Sequence, residues 1–236
     1  NRRTSELIKY AANAFLAMKI TYINEMADLC EAVGADVQQV ARGIGLDGRI
    51  GGKFLNAGPG YGGSCFPKDT MALVRTARDF GSPLELVETT IKANDERKRA
   101  MARKVVKAVD GALKNKTVGV LGLTFKPNTD DMRDAPSLAI IPALQDRGAR
   151  VQAFDPEGMD EARRLLDNVA FKDDPYAVAE GADALVIITE WDQFRALDLD
   201  RIKLVMNRPV LIDLRNIYKP ADMRARGFRY TSVGRD

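Results

Sequence analysis

The feature that most constrains the fold of this chain is a glycine-rich stretch in its first third. Nine of the 19 glycines lie within residues 43–63. Glycine has no side chain to pack and loses the most conformational freedom on folding, so neither a packed helix nor a regular strand fits here. We expect a loop whose backbone closely approaches a ligand or another segment. A flexible linker is the alternative, which the side chains of Arg49, Lys53, Phe54 and Tyr61 disfavour.

The loop ends on a cysteine that is suited to nucleophilic chemistry. Cys65 comes shortly before Pro67, a residue that favours the first turn of a helix. The thiol would then lie at a helix N-terminus, whose free N–H groups and partial positive charge favour a thiolate, and Lys68 adds a second cation. A thiolate is the form in which cysteine acts as a covalent catalyst. The alternative for a lone cysteine is a small buried hydrophobic residue.

Composition limits the class of protein. With 236 residues and 45% hydrophobic content, the chain can bury a sizeable core, and we expect two domains. The 36 basic residues are interspersed with 33 acidic ones, so no basic stripe for nucleic acid is expected. No apolar run approaches the length of a membrane span and no signal peptide is evident, which predicts a cytoplasmic protein that binds neither membrane nor nucleic acid.

Histidine is absent from the sequence, and cysteine occurs twice. Acid–base chemistry must therefore use Lys, Asp, Glu or water, and no metal site is predicted. Cys30 falls on the apolar side of a helical pattern whereas Cys65 falls in a loop, so both are expected to be free thiols. The sequence starts at Asn1 with a helical pattern almost at once, which we interpret as part of a longer protein.

Residues 1–114 are predicted to form a helical domain. Apolar residues recur at three- and four-residue spacing from Leu7 to Cys30, the pattern of one long amphipathic helix that ends at Gly34. Further helices are predicted from Asp36 to about Gly45, from Pro67 to Phe80, and from Leu84 to Val109. Long helices of this kind connect domains or pack against a partner subunit, so homodimerisation is expected.

Residues 115–236 change to alternating strands and helices. Four β-rich apolar runs cover residues 118–123, 151–154, 184–188 and 210–214, with helical segments between them. This pattern predicts an α/β fold, a doubly wound, Rossmann-like parallel sheet. The first turn lacks the third glycine of a dinucleotide fingerprint, so we do not predict an NAD site in this domain.

Cations cluster where the strands of this sheet are predicted to end. Lys126 and Arg133 follow the first strand and Arg215 follows a later one, at the edge where open α/β sheets bind ligands. Together they would suit a diphosphate. The alternative for each alone is a solvated or Asp-paired side chain. On the first helix, Lys9 and Asn13 share a face beside small alanines, which leaves room for a ligand, although a solvated surface is the alternative.

Three motifs in this order resemble those of the UDP-glucose 6-dehydrogenase family. They are Lys9 to Phe15, Arg49 to Asp69, and Leu123 to Arg133. The similarity covers the whole chain and implies the family's central helical dimerisation domain, joined by a long helix to its nucleotide-sugar domain. The family's N-terminal NAD-binding domain is not represented, so we expect this chain to be inactive alone.

The resemblance also implies a reaction and a set of residues. The family oxidises UDP-glucose to UDP-glucuronate with NAD in two hydride transfers, through a thioester on the cysteine that Cys65 matches. Lys9 and Asn13 match the residues that stabilise the oxyanion, and Asp69 matches a carboxylate that handles protons and water. The implied sugar-nucleotide residues are Lys9, Asn13, Arg49 reaching a neighbouring subunit, Phe54, Leu55, Asn56, Ala57, Gly58, Tyr61, Gly62, Lys126 and Arg215. The implied contacts to NAD are Cys65, Lys68 and Arg133.

Three alternatives remain open at this stage. The chain is a non-catalytic module that binds a nucleotide sugar and dimerises, or it belongs to a GDP-mannose 6-dehydrogenase of the same architecture, or it is a thiol enzyme unrelated to NAD. Residues 66–69 and 126–129 resemble the UDP-glucose group more closely, but charge and spacing do not identify the base.

Overall fold

The computed structural model describes residues 1–235, which fold into a helical part followed by an α/β part. The helical part contains α1 (Arg2–Val33), α2 (Val37–Gly45), α3 (Phe66–Asp79) and α4 (Glu85–Ala108), with the glycine-rich loop between α2 and α3. All four predicted helices are present, and their bounds agree with the sequence pattern to within a few residues.

The first helix is long because its ends are capped and its interior lacks glycine and proline. The Asn1 side chain accepts a hydrogen bond from the Thr4 amide, and Gly34 ends the helix in the left-handed conformation at φ 71°. The middle and C-terminal turns bury Ala17, Ile23 and Ala27. The apolar stripe predicted at the N-terminal end of this helix is not buried, because Leu7, Ile8 and Phe15 are all more than half exposed.

The α/β part is a six-stranded sheet in which every pairing is parallel. Its strands are β1 (Thr117–Leu121), β2 (Arg150–Phe154), β3 (Val169–Phe171), β4 (Ala184–Ile187), β5 (Val210–Asp213) and β6 (Arg229–Thr231). Its helices are α5 (Ser137–Gln145), α6 (Met159–Leu165), α7 (Pro175–Ala179), α8 (Asp192–Arg195), α9 (Leu199–Val205) and α10 (Pro220–Ala225).

The strand order β3-β2-β1-β4-β5-β6 is that of a doubly wound dinucleotide-binding fold, which confirms the predicted fold class. The sequence pattern missed the two edge strands, β3 and β6. Each has only three residues and neither is buried along its whole length, so no apolar run marks it.

One apolar core connects the two parts. It runs from Ile23 on α1 through Met101 and Val105 on α4 to Val118 on β1 and Ile140 on α5. The domain boundary expected near residue 114 falls between the end of α4 and the start of β1. The helical part and the α/β part pack against each other through this shared core.

The end of the described chain also contacts the first two helices. The Val37 amide donates to the Gly234 carbonyl at 2.8 Å, and the Gly234 amide donates to Glu31 at 2.7 Å. Lys104 on α4 donates to Glu31 and to the Ser232 carbonyl. These bonds attach the residues that follow β6 to the helical part.

Two further observations concern the chain as a whole. Cys30 is buried and Cys65 is exposed, and both are free, as predicted. Within residues 1–235 no helix is both long enough and apolar enough to cross a bilayer.

Candidate functional site

A buried carboxylate lies at the centre of the candidate site. Asp69, fully buried in the first turn of α3, accepts a hydrogen bond of 2.6 Å at Oδ2 from the Asn13 amide. The Lys9 ammonium lies 3.5 Å from the same oxygen, and the Lys68 ammonium lies 3.6 Å from Oδ1. The predicted face of the first helix therefore meets the predicted start of α3, and four of the predicted site residues lie together.

The second oxygen of this carboxylate accepts no hydrogen bond from the described residues. Asp69 Oδ1 is buried without a hydrogen-bond partner among the described residues. A buried acceptor without a donor is unfavourable by about 1–3 kcal/mol. This oxygen therefore keeps the capacity to accept one more hydrogen bond, from a donor that displaces the groups that cover it.

The cysteine lies one helical turn from this carboxylate. Cys65 is exposed and immediately precedes α3, and its carbonyl accepts the Asp69 amide at 2.8 Å. The Ser64 hydroxyl lies 3.7 Å from the sulfur. The thiol is thus at the helix N-terminus, as the sequence predicted, and is open to solvent and to reagents.

The glycines before the cysteine are required by close contact with the α/β part. The Gly63 amide donates to the Arg133 carbonyl at 2.8 Å, and Gly63 has φ +84°, a conformation that favours glycine. A Cβ on Gly62 would overlap with the Asp134 carbonyl oxygen, and one on Gly63 would lie 2.7 Å from the Phe125 ring. The loop is therefore a packed segment rather than a flexible linker.

The rest of this loop alternates between buried and exposed positions. Leu55, Ala57, Gly58 and Tyr61 are buried, Gly62 is half-buried, and Phe54 and Asn56 are exposed. Phe54 has a positive φ of 63°, and its ring lies 6.0 Å from that of Phe66, next to the cysteine. Burial raises the pKa of Tyr61 to about 12.

The three predicted cations lie on loops at the carboxyl edge of the sheet, but two of them are paired. Arg215 donates to the Ile188 carbonyl at 2.7 Å and forms an ion pair of 3.0 Å with Glu190. Arg133 is exposed and binds both oxygens of Asp131, which holds the pKa of that carboxyl below its ordinary value. Only Lys126, exposed beside the Phe125 ring, lacks a carboxylate partner among the described residues.

A cleft of about 840 Å³ opens beside Arg215. Its walls are α2, the loop residues Leu55, Asn56 and Ala57, and the segments that follow β4 and β5. Its volume is in the range of pockets that hold molecules of nucleotide size. Sequence reasoning missed Glu190 and Arg195 in this wall. Their position shortly after a buried strand was the available signal, but no motif marked them.

The sheet does not fit a dinucleotide in the usual way. Asp155 follows β2, where dinucleotide-binding folds present a carboxylate to a ribose. Here Asp155 is fully buried, and its Oδ2 accepts hydrogen bonds from the amides of Leu123 and Thr124 and from the Trp191 indole. Together with the missing third glycine, this engagement means that the turns after β1 and β2 lack the features by which a doubly wound sheet binds a dinucleotide.

One predicted residue lies apart from the others. Arg49 is exposed and pairs with Asp47 in its own loop, and it forms no hydrogen bond or ion pair with any other predicted site residue. Asp47 raises the pKa of the Arg49 guanidinium. Within this one chain, Arg49 therefore does not belong to the cluster around Asp69.

Two family models match the chain in sequence order. The UDP-glucose/GDP-mannose dehydrogenase family, central domain, matches residues 3–96, and the UDP-glucose/GDP-mannose dehydrogenase family, UDP binding domain, matches residues 119–220. These are the two parts that the sequence motifs predicted.

Curated relatives and solved structures agree with this match. The chain is 67% identical to UDP-glucose 6-dehydrogenase of Rhizobium meliloti (strain 1021), over 99% of this chain and 54% of the relative. It is 49% identical to UDP-glucose 6-dehydrogenase TuaD of Bacillus subtilis (strain 168), over 100% of this chain and 51% of the relative. A UDP-glucose dehydrogenase structure from Pyrobaculum islandicum superposes with a TM-score of 0.87 at 37% identity, covering 99% of this chain and 52% of that one. The chain spans about half the length of these relatives.

Proposed function

The chain belongs to the UDP-glucose/GDP-mannose dehydrogenase family, and on that premise we propose that it is the central and UDP-binding portion of an NAD-dependent UDP-glucose 6-dehydrogenase. The observation that carries the proposal is the buried Asp69, shared by Asn13, Lys9 and Lys68, one turn from the exposed Cys65. This cluster offers a nucleophile, donors for an oxyanion and a proton acceptor without using histidine.

The nucleotide sugar is proposed to bind along the loop before the cysteine. Residues 54–58, Tyr61 and Gly62 would line the sugar and nucleoside, and Lys126 and Arg215 would lie near the diphosphate. The cleft beside Arg215 supports this placement because it adjoins residues 55–57. Lys126, which has no carboxylate partner among residues 1–235, is the cation most available to a phosphate.

The proposed chemistry passes through a thioester on Cys65. After the first oxidation of C6 to an aldehyde, the thiolate attacks the carbonyl carbon, and the C=O electron pair moves to oxygen. Lys9 and Asn13 would donate hydrogen bonds to that oxygen. Loss of a second hydride from C6 gives the thioester. Water then attacks the acyl carbon, Asp69 accepts one of its protons, and the C–S bond breaks to release the carboxylic acid and the thiolate. The carboxylic acid then loses its proton to solvent and becomes the carboxylate.

NAD, when bound, accepts the hydride in each oxidation. The residues of this chain proposed to contact it are Cys65, Lys68 and Arg133. Lys68 and Arg133 are both exposed and lie close to the cysteine loop, since the Arg133 carbonyl holds the Gly63 amide. The greater part of the cofactor site is proposed to lie outside this chain, because the sheet domain lacks the features that bind a dinucleotide.

A homodimer is part of the proposal. Ile8, Phe15, Tyr22 and Leu29 on α1 are each 48–64% exposed and recur every seven residues, so they form one apolar stripe along the helix. A second copy would cover this stripe. In such a dimer Arg49, which lies apart from its own cluster, would reach the site of the neighbouring subunit.

Two other candidates differ in what they bind or turn over. A non-catalytic binding and dimerisation module would use the same cleft and the same exposed stripe on α1 without any turnover. A GDP-mannose 6-dehydrogenase is within the same family, but the two relatives at 67% and 49% identity are both UDP-glucose 6-dehydrogenases. We therefore propose UDP-glucose as the substrate.

The test combines binding and turnover. In calorimetric titrations of this chain, UDP-glucose should bind and GDP-mannose should not. In the full-length protein, UDP-glucose should produce NADH, and Cys65→Ala should abolish this while it leaves UDP-glucose binding unchanged. Cys30→Ala, at the buried cysteine, is the matched control and should retain activity.

Each outcome separates the candidates. Preference for GDP-mannose would replace the substrate, and turnover by Cys65→Ala would overturn the thioester. If the full-length protein binds UDP-glucose but produces no NADH, the non-catalytic binding module is the candidate that remains.

A further inference from the structure

The loop that carries the proposed site is held from its inner side by polar side chains on two helices. Asn24 on α1 and Asn94, Arg97 and Lys98 on α4 are each no more than 7% exposed. Buried amides and guanidinium groups are costly unless they are hydrogen-bonded. Their partners are mostly main-chain groups of residues 58–61 and 134, so α4 supplies bonds that the irregular loop cannot make for itself.

Asn94 holds both main-chain groups of one residue. Its Oδ1 accepts the Tyr61 amide at 2.8 Å, and its Nδ2 donates to the Tyr61 carbonyl at 3.1 Å. Gly60 has φ +116°, and a Cβ there would lie 2.9 Å from Asn94 Oδ1, so the loop is pressed against this side chain. Tyr61 is four residues before Cys65.

Arg97 and Asn24 hold the loop at a second point. Arg97 Nε donates to the Gly58 carbonyl at 2.9 Å, and Asn24 Oδ1 accepts the Gly58 amide at 2.8 Å. Arg97 is itself fixed by Asp28 at 2.6 Å and by the Asn24 carbonyl at 3.1 Å. A Cβ on Gly58 would lie 3.3 Å from Arg215 Nη1, so this point of the loop is held directly against Arg215.

We propose that Asn94 and Arg97 are positioning residues for the reaction proposed above, with separate effects. Asn94 fixes the segment that leads to Cys65 and so governs the chemical step. Arg97 fixes Gly58 beside Arg215 and so governs binding of the nucleotide sugar. This inference rests on the proposed function, because the two effects are defined by the roles of Cys65 and Arg215.

The two effects separate because the loop is fixed at two points. Between Tyr61 and Cys65, the Gly63 amide also donates to the Arg133 carbonyl of the α/β part. Loss of the Asn94 bonds would leave this segment held only by the Gly63 bond and by the first turn of α3. The cysteine could then shift, and a displacement of about 1 Å can reduce the rate about 100-fold. Loss of the Arg97 bond would release the Gly58 carbonyl, which lies next to Arg215, the proposed diphosphate contact. Gly58 precedes residues 61–65, so this change would affect binding rather than the position of the cysteine.

The experiment uses side chains of matched shape in the full-length protein, with UDP-glucose and NAD. Asn94→Leu removes both hydrogen bonds at similar volume, and we expect kcat to fall by about 100-fold with little change in KM. Arg97→Met removes the donor, and we expect KM to rise about tenfold or more with a smaller change in kcat. Arg97→Gln keeps an N–H at the position of Nε and should restore KM towards the wild-type value.

The control is Thr90→Val, one turn earlier on α4. Thr90 is equally buried, but among residues 1–235 its hydroxyl bonds only to the Leu86 carbonyl within the helix. This variant should lose stability without the kinetic changes. If Asn94→Leu fails to fold, Asn94→Ser is the second variant, because its small polar side chain cannot reach both main-chain groups of Tyr61. Its kcat should also fall, but by less than about 100-fold.

A second readout needs no substrate. Alkylation of the exposed Cys65 by iodoacetamide, in this chain with Cys30 replaced by alanine, reports the local geometry of the thiol. Asn94→Leu should change the alkylation rate about threefold or more across the pH range, whereas Thr90→Val should not. Kinetics and alkylation that are the same in Asn94→Leu and Thr90→Val would overturn the positioning role.

Failure of the two proposals looks different in these experiments. If the wild-type protein does not oxidise UDP-glucose but Asn94→Leu still changes Cys65 alkylation, the proposed function is wrong and the hold of Asn94 on the loop stands. If the wild type is active and Arg97→Met changes neither KM nor kcat, or Arg97→Gln behaves like Arg97→Met, the assignment of Arg97 to nucleotide-sugar binding is wrong.

Discussion

The acid–base chemistry proposed for this chain depends on how one carboxylate is surrounded. Asp69 has no exposed surface, yet it meets an amide and two lysines that are themselves largely exposed. The lysines can therefore reach a bound molecule, while their positive charge offsets part of the free-energy cost of burying the negative charge of Asp69. This arrangement explains how a site without histidine can still offer an acceptor and donors within one turn of the thiol.

Tyr61 provides a test of the buried loop at the scale of one side chain. Its pKa is raised to about 12, chiefly by burial, with Asp95 and Asp134 adding to the shift and the Thr70 hydroxyl opposing it. In the unfolded chain the phenol titrates near pH 10. Below about pH 10 both states hold the proton, and between about pH 10 and 12 only the unfolded state releases it, so stability falls as the pH rises.

We therefore expect Tyr61→Phe to diverge from the wild type only in alkali. At about pH 11 the wild type should have lost about 1.4 kcal/mol of unfolding free energy relative to the variant, compared with their difference near pH 9. Urea denaturation of both proteins at the two pH values measures this. A difference that stays constant with pH would mean that the phenol is solvated and that the loop is not packed as described.

The glycine-rich loop gives the prediction at the scale of an element. In Gly62→Ala the new methyl group would overlap with the Asp134 carbonyl, and since that atom is backbone the two parts must move apart. We expect a loss of about 1–3 kcal/mol in unfolding free energy together with weaker UDP-glucose binding. Chemical denaturation and calorimetry measure the two effects.

Gly48→Ala is the matched control in the same loop. A Cβ on Gly48 would have no atom within 4 Å. The substitution should leave stability and binding unchanged or slightly raise stability, because alanine has less freedom to lose on folding. Equal effects of the two substitutions would show that loop flexibility, and not contact with the α/β part, decides the outcome.

At the scale of the whole molecule, the exposed stripe on α1 predicts a dimer. Phe15→Glu places a charge in the middle of the stripe, and burying an unpaired charge between two copies is strongly unfavourable. Analytical ultracentrifugation should show a dimer for the wild type and a monomer for the variant. Leu204→Glu is the control, since Leu204 on α9 is 83% exposed but lies outside the stripe, and it should remain a dimer. A monomeric wild type would contradict the proposal.

The burial of α1 shows the limit of periodicity. The spacing of Leu7, Ile8 and Phe15 predicts an apolar face correctly, but it does not say what covers that face. In the described chain the inner face packs on α2, α3 and α4, whereas these three residues remain exposed. A pattern in the sequence reports that a surface is apolar, and only the packing of the other elements decides whether the chain itself buries it.

The sequence alone determined the local features: four helices, the main strands of the sheet, the glycine-rich loop and the cysteine at a helix N-terminus. These follow from spacing, capping and backbone preference, which act over a few residues. The motifs also identified the family. Tertiary structure decided which of these features meet: Asn13 with Asp69, Gly63 with Arg133, Arg215 with Glu190, and Asn94 with Tyr61. The partners in each pair are between 25 and 70 residues apart, and such contacts depend on how whole helices and the sheet pack, which no local pattern encodes.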